Sequence, residues 1–212
     1  MYSGLFLSAS ILGYIVLLFY LCFLKKLSQK SFYFLPFIIL LGIWNIYDSL
    51  FFKQVGLGST ISFRIYGFLE FYTLFYYFKK INSKYRLALN SVGVAYFLSH
   101  LMLLFYWKQI PSLVAESYLM TFEIVLVYLF SCTWFIQQFK MQDYQPLKWN
   151  PDFYFVSGLI LYFSGIYVLT LYANTIIENN ISHFPDYWNL MIACNIVLRL
   201  FILIGLWKKV IR

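Results

Sequence analysis

Charged side chains are scarce in this sequence: they make up 11% of 212 residues, where a soluble domain carries about 25%. Acidic residues are scarcer still, eight in all. That deficit excludes an ordinary water-soluble domain with a charged surface. Histidine occurs twice. His183 falls in an expected outer loop, far along the chain from His100, so a zinc centre with three or so protein ligands and a bis-histidine haem are both excluded. Three cysteines, Cys22, Cys132 and Cys194, fall inside apolar runs without metal or disulfide spacing and read as small packing residues. Of five prolines, Pro111, Pro146, Pro151 and Pro185 read as loop residues. Only Pro36 lies in an apolar run, in its first turns, where a missing N–H matters least. Runs broken by Gly and Pro, the mark of interrupted transporter helices, are absent. Ser99 precedes His100, but neighbours on a helix point about 100° apart, which excludes that pair as nucleophile and base. The last apolar run has no lysine before Lys208, which excludes a retinal Schiff base. No catalytic residue, metal or cofactor is expected.

What the chain has is apolar and aromatic length. Hydrophobic residues make up 62%, with 24 Phe and 20 Tyr. They fall into seven runs, near 4–24, 32–52, 62–78, 87–107, 113–139, 153–173 and 187–207. A hydrocarbon core about 30 Å thick needs about 20 helical residues to cross it. The runs do not alternate polar with apolar residues as barrel strands do, so they read as helices. The expected fold is an all-α integral membrane protein, one seven-helix transmembrane domain over residues 1–212. The third run is short and the fifth long, which predicts tilt or frayed ends. Span 6 carries Ser157-Gly158 and, two turns on, Ser164-Gly165. Small residues on one face predict close approach of another helix there.

The net charge of +8 sits in short loops. Lys25, Lys26 and Lys30 follow span 1, Lys79, Lys80, Lys84 and Arg86 follow span 3, Lys140 and Lys148 follow span 5, and Lys208, Lys209 and Arg212 end the chain. Against these twelve, the other side has Lys53, Arg64 and Lys108. The bias predicts an amino terminus outside and a carboxyl terminus in the cytoplasm. The basic loops then contact anionic lipid head groups, and nucleic acid is not an expected partner. Positive charge follows the first apolar run rather than preceding it, which suits an uncleaved amino-out anchor. Trp107 and Trp188 near outer span ends, and Trp207 near an inner one, fit interfacial anchors. After Trp207 only five residues follow, so the output of any sensing is expected from a separate membrane or cytoplasmic signalling partner.

Polar residues inside the spans need a reason, since an ionisable group at a helix centre costs about 2.5–3.5 kcal/mol on insertion scales. At about 1.5 Å rise per residue, Asn45, Glu70, His100, Glu123 and Asn195 all fall roughly 10–15 Å below the outer surface. Arg199 lies one turn deeper, and Asp48 and Glu116 are shallower. Gly42, Asn45 and Ser49 share a face, as do Tyr66, Glu70, Thr73 and Tyr77, and Gly93, Tyr96 and His100. Arg199 is the only basic residue deep in a span, and the expected partner is Glu70 or Glu123. Asn45, Glu70, His100, Glu123, Asn195 and Arg199 are therefore the candidate ligand-binding set. Three functions follow: a sensor or receptor-like subunit with an outer-half polar cavity for a small or lipid-like ligand, a small-solute or ion transporter, or a structural accessory subunit whose polar layer only holds helices in register.

Several stretches carry a resemblance: Ile65-Tyr66-Gly67-Phe68-Leu69-Glu70-Phe71, Asn150-Pro151-Asp152-Phe153-Tyr154, Leu161-Tyr162-Phe163-Ser164-Gly165, Tyr187-Trp188-Asn189 and Ile204-Gly205-Leu206-Trp207-Lys208. With them the chain resembles a group of short seven-span membrane proteins of Bacteroidota, often encoded near sensor histidine kinases. The resemblance implies a bacterial inner-membrane location and a role in signalling. It departs from the group at Tyr154, where the usual aromatic is Trp, and at Met191-Ile192, where relatives often have a His. Asn150 and Pro151 also suit a helix cap and a first helical position on physical grounds alone.

Overall fold

The structure is a computed structural model, and it describes residues 2–28, 32–47, 60–82, 86–105, 112–140, 146–179 and 184–211. Among the described residues eight α-helices are formed: α1 Tyr2–Cys22, α2 Leu24–Ser28, α3 Leu35–Tyr47, α4 Thr60–Ile81, α5 Arg86–Phe105, α6 Ser112–Lys140, α7 Pro151–Asn179 and α8 Phe184–Ile211. A 3-10 turn, Leu147–Trp149, precedes α7. There is no strand among the described residues. Among the described residues four helices are long and apolar enough to cross a membrane, over Gly4–Cys22, Ser117–Lys140, Pro151–Val168 and Asn189–Ile211, and two shorter apolar helices are Leu35–Tyr47 and Leu89–Leu103. Asp48, Ser49, Trp107 and His183 lie outside the described residues, as do the side chains of Glu116 and Trp188.

Three sequence expectations are corrected. The third run is not short: α4 spans 22 residues, because Thr60 to Phe63 and Lys79 to Ile81 extend it without a breaking residue. The loop expected over 174–186 is largely helix, since α7 runs to Asn179 and α8 starts at Phe184. No Gly or Pro stops α7 after Gly165, and Pro185 sits in the first turn of α8, where proline is accommodated. Cys22 and Cys132 are exposed rather than packed inside, and Cys194 is half-buried. A thiol is apolar enough for such a surface.

The helices close into a ring. α1 packs on α3, α3 on α4, α4 on α6, α6 on α7, α7 on α8 and α8 on α1, with α5 against α4 and α6 from outside. Paired residues give the directions. Phe155 meets Gly205, Gly158 meets Phe201 and Gly165 meets Cys194, so α7 and α8 run antiparallel. Phe34 faces Tyr77 while Tyr47 bonds Ser62, so α3 and α4 do too. Phe19 faces Trp207 and Ala9 meets Arg199, so α1 and α8 run parallel. The described lysines collect at one end as a result, with Lys80 over Tyr33 at 5.6 Å and Lys208 over Trp149 at 4.3 Å.

Just inside that lysine end the ring is filled with aromatic side chains. Phe34 stacks on Phe155 at 4.5 Å and meets Tyr77 edge-on at 4.8 Å. The Tyr77 hydroxyl donates to Asp152 Oδ1 at 3.0 Å. Phe37, Phe78 and Trp134 complete a fully buried core. Asn150 Oδ1 caps α7 by accepting the Asp152 N–H at 3.0 Å, and Pro151 opens the helix. The outward faces are apolar instead of charged: Leu7, Ile11, Ile15, Leu18 and Leu21 form an exposed stripe on α1, and Ile39, Ile43 and Ile46 one on α3. Stripes of this kind suit acyl chains and not water.

The α7–α8 contact rests on small residues, as the Ser-Gly pairs predict. A Cβ at Gly158 would lie 2.7 Å from Phe201 Cβ, an atom that cannot swing aside. At Gly67 nothing lies within 4 Å of an added Cβ. Gly158→Ala is expected to lower stability by about 1–3 kcal/mol in an SDS-unfolding titration. Gly67→Ala should be neutral or slightly stabilising in the same titration.

Candidate polar site within the helix ring

α1 carries a notch of small residues at Ala9, Ser10 and Gly13. In a helix the carbonyl of residue i lies beneath the side chain of residue i+4, and its second lone pair stays free after the i+4 N–H has bonded. Gly13 has no side chain, so the Ala9 carbonyl is open from the side. A Cβ there would lie 2.7 Å from Arg199 Nη1 and 2.9 Å from Asn45 Cγ. Arg199 of α8 donates through Nη1 to the Ala9 carbonyl and to Asn45 Oδ1 at 3.3 Å. Asn45 of α3 donates through Nδ2 to the Ser10 carbonyl at 3.0 Å. Three helices are thus tied by one guanidinium and one amide, both buried.

Across the ring, α4 and α6 bring in the acids. Glu70 and Glu123 are each 3% exposed. They lie within Coulombic reach of one another. The Tyr66 hydroxyl donates to Glu70 Oε1 at 3.3 Å, and the Tyr96 hydroxyl to Glu123 Oε2 at 3.5 Å. Thr73 Oγ1 donates to the Glu70 carbonyl at 2.9 Å, which stabilises the turn that presents the acid. Among the described residues Glu123 Oε1 is buried without a hydrogen-bond partner. Tyr66 and Tyr162 of α7 lie within electrostatic range of Glu70, Glu123 and Arg199.

The structure therefore brings together four of the six expected residues: Asn45, Glu70, Glu123 and Arg199. The guanidinium reaches the α1 backbone and Asn45, contacts that the acid-pairing expectation did not include. His100 is half-buried on α5, its ring edge-on to Phe68 at 5.0 Å and 5.1 Å from Tyr96, with the Arg64 backbone nearby. It borders the cluster through Tyr96. Asn195 is half-buried one turn before Arg199, and among the described residues its Oδ1 has no partner. Sequence reasoning missed Gly13 and Tyr162. The signal for Gly13 was its spacing of four from Ala9 and three from Ser10, which makes a small-residue patch. Tyr162 had no polar companion one turn away to single it out.

No protein-family model matches the chain, and no curated protein or solved structure matches it.

The geometry makes the Gly13 notch and Asn45 interdependent. Gly13→Ala and Asn45→Ala are each expected to cost about 1–3 kcal/mol. The double variant should cost clearly less than their sum, because each change already disrupts the same contact. A double-mutant cycle on unfolding free energies reads this, and additivity would show the two residues act separately.

Proposed function

We propose that this chain is a seven-span inner-membrane protein, amino terminus outside and lysine end in the cytoplasm. In this reading it acts as a sensor or receptor-like subunit. A small polar ligand enters from outside, binds at the Glu70–Glu123 layer, and the change passes to a signalling partner at the basic cytoplasmic face. Support for the crossings comes from the four long apolar helices, the further apolar helices beside them and the apolar outward stripes. Support for the orientation comes from the lysines gathered at one end.

One observation carries the functional reading. The buried acids and Arg199 sit in the half of the ring away from the lysines, while the other half is closed by Phe34, Phe37, Tyr77, Phe78, Trp134 and Phe155. An acid pair with Glu123 Oε1 unpartnered among the described residues on one side, and a close-packed aromatic plug on the other, favour one-sided binding over passage. The same plug couples α3, α4 and α7, so a shift at Glu70 is relayed to Tyr77 two turns along α4 and then to Asp152. The resemblance to proteins encoded near sensor histidine kinases favours a signalling output over a structural one.

Side-specific labelling separates the readings. In a variant with Cys22, Cys132 and Cys194 replaced by Ala, Asn195→Cys should react with a charged maleimide added to the amino-terminal side of sealed vesicles. It should not react with reagent on the lysine side, and Tyr77→Cys should react from neither. Labelling of Asn195→Cys from both sides would favour transport and overturn the sensor reading.

A further inference from the structure

At the lysine end, one corner of the bundle gathers cations from three elements. α2 packs beside α8, and the 3-10 turn Leu147–Trp149 packs on α7, which lies along α8. Lys208 Nζ of α8 sits over the Trp149 ring, 4.3 Å from its centroid. The indole holds the ammonium in place but brings no counter-charge. Lys148 on the same turn is exposed, as are Lys25 and Lys26 of α2. The Tyr154 hydroxyl donates to the Lys148 carbonyl at 3.0 Å, which steadies the turn. Among the described residues Asp152 is the one acid at this end. Its Oδ1 accepts the Tyr77 hydroxyl, and the lysine within electrostatic range of it is Lys209. Lys26, Lys148 and Lys208 have no carboxylate partner among the described residues. The side of the same corner is apolar. Trp149 is 48% and Trp207 51% exposed, and the Trp207 ring lies 6.1 Å from that of Phe19 on α1. From Trp207 an exposed stripe climbs α8 through Ile204 and Leu200. On α1, packed parallel to α8, the exposed stripe ends at Leu21, four residues before Lys25.

We propose that this corner is a binding site for one anionic phospholipid. The phosphate lies against Lys148 and Lys208, with Lys25 and Lys26 flanking it from α2. The indoles of Trp149 and Trp207 sit at head-group level, where an amphipathic ring is most favourable. The acyl chains follow the Trp207–Ile204–Leu200 stripe. Charge complementarity selects an anion, and the junction of lysines with exposed apolar stripes selects one that carries a tail. A free phosphate would leave both indoles and the stripes without a role. An acidic protein surface would meet only the lysines. The site goes beyond the sensor reading and does not depend on it, since it faces outward from α8 while Glu70 and Glu123 are buried within the ring.

The test uses the full chain in a non-ionic detergent, melted at constant pH and ionic strength. Phosphatidylglycerol, phosphatidylcholine with the same acyl chains, glycerol phosphate and polyglutamate are titrated in separately. A saturable rise in melting temperature is expected with phosphatidylglycerol, a smaller one with phosphatidylcholine and none with the two soluble anions. In the double variant Lys148→Gln/Lys208→Gln the half-saturating concentration should rise about tenfold or more, as loss of charged contacts does. Trp149→Ala removes the ring under Lys208 and should raise it about two- to fivefold. The double variant Lys79→Gln/Lys140→Gln makes the same change of charge on α4 and α6 and should leave it unaltered. Equal responses to the two lipids would overturn the proposal. So would equal weakening by the two double variants, which marks a diffuse surface potential and no site. A full response to glycerol phosphate would make the corner a free-phosphate site, and one to polyglutamate a dock for an acidic protein, and either would overturn the lipid assignment.

Discussion

A polar group buried between these helices is costly unless it finds a partner in the protein. Arg199 meets that constraint in a specific way. Its guanidinium reaches a backbone carbonyl on α1 and the Asn45 amide on α3. A helix carbonyl is a permanent acceptor that costs nothing to desolvate further, and here it is reachable only because Gly13 leaves it uncovered. The crossing of α1, α3 and α8 is therefore set at one point by hydrogen bonds and not by the general attraction of apolar surfaces. Between helices surrounded by apolar material that attraction is weak, so directional contacts and close packing decide the arrangement.

The two halves of the ring solve different problems. Near the lysine end the contents are large rings in mutual contact, with Asp152 satisfied by Tyr77 and by its place in the first turn of α7. Dispersion and shape fill most of that volume, beside the buried Asn82 Oδ1 and Ser131 Oγ, which have no hydrogen-bond partner among the described residues. The other half holds two carboxylates, three phenols and an arginine, for which packing alone is insufficient. A close-packed aromatic base thus adjoins the polar layer that holds the buried acids. α4 links them directly, since Tyr66, Glu70, Thr73 and Tyr77 lie on one side of the same helix.

The α7–α8 pair shows how the close packing is achieved. Gly158, Gly165 and Gly205 each receive a side chain of the facing helix at a distance no Cβ would allow. These glycines lower intrinsic helix propensity, a cost that helices this long tolerate because their backbone bonds have no competing water. The same device recurs at Gly42 under Leu17 and at Gly93 under Phe75. Small residues at helix crossings thus carry as much of the architecture as the aromatic core does.

Composition and charge placement by themselves determined that this chain forms long apolar helices, where its basic residues would gather, and that its few internal acids, amides and lone arginine fall at similar levels. These are one-dimensional properties: run length, spacing and sign of charge. The ends of the elements were less legible, because a loop over 174–186 and a helix continuing to Asn179 have the same composition, and no Gly or Pro marks where α7 stops. The grouping of Glu70 with Glu123 and Tyr162, and the reach of Arg199 to Ala9 and Asn45, were decided by tertiary structure alone. Periodicity says which face of a helix is polar but not which neighbour that face meets. The order of helices around the ring, and one missing side chain at Gly13, supplied that answer.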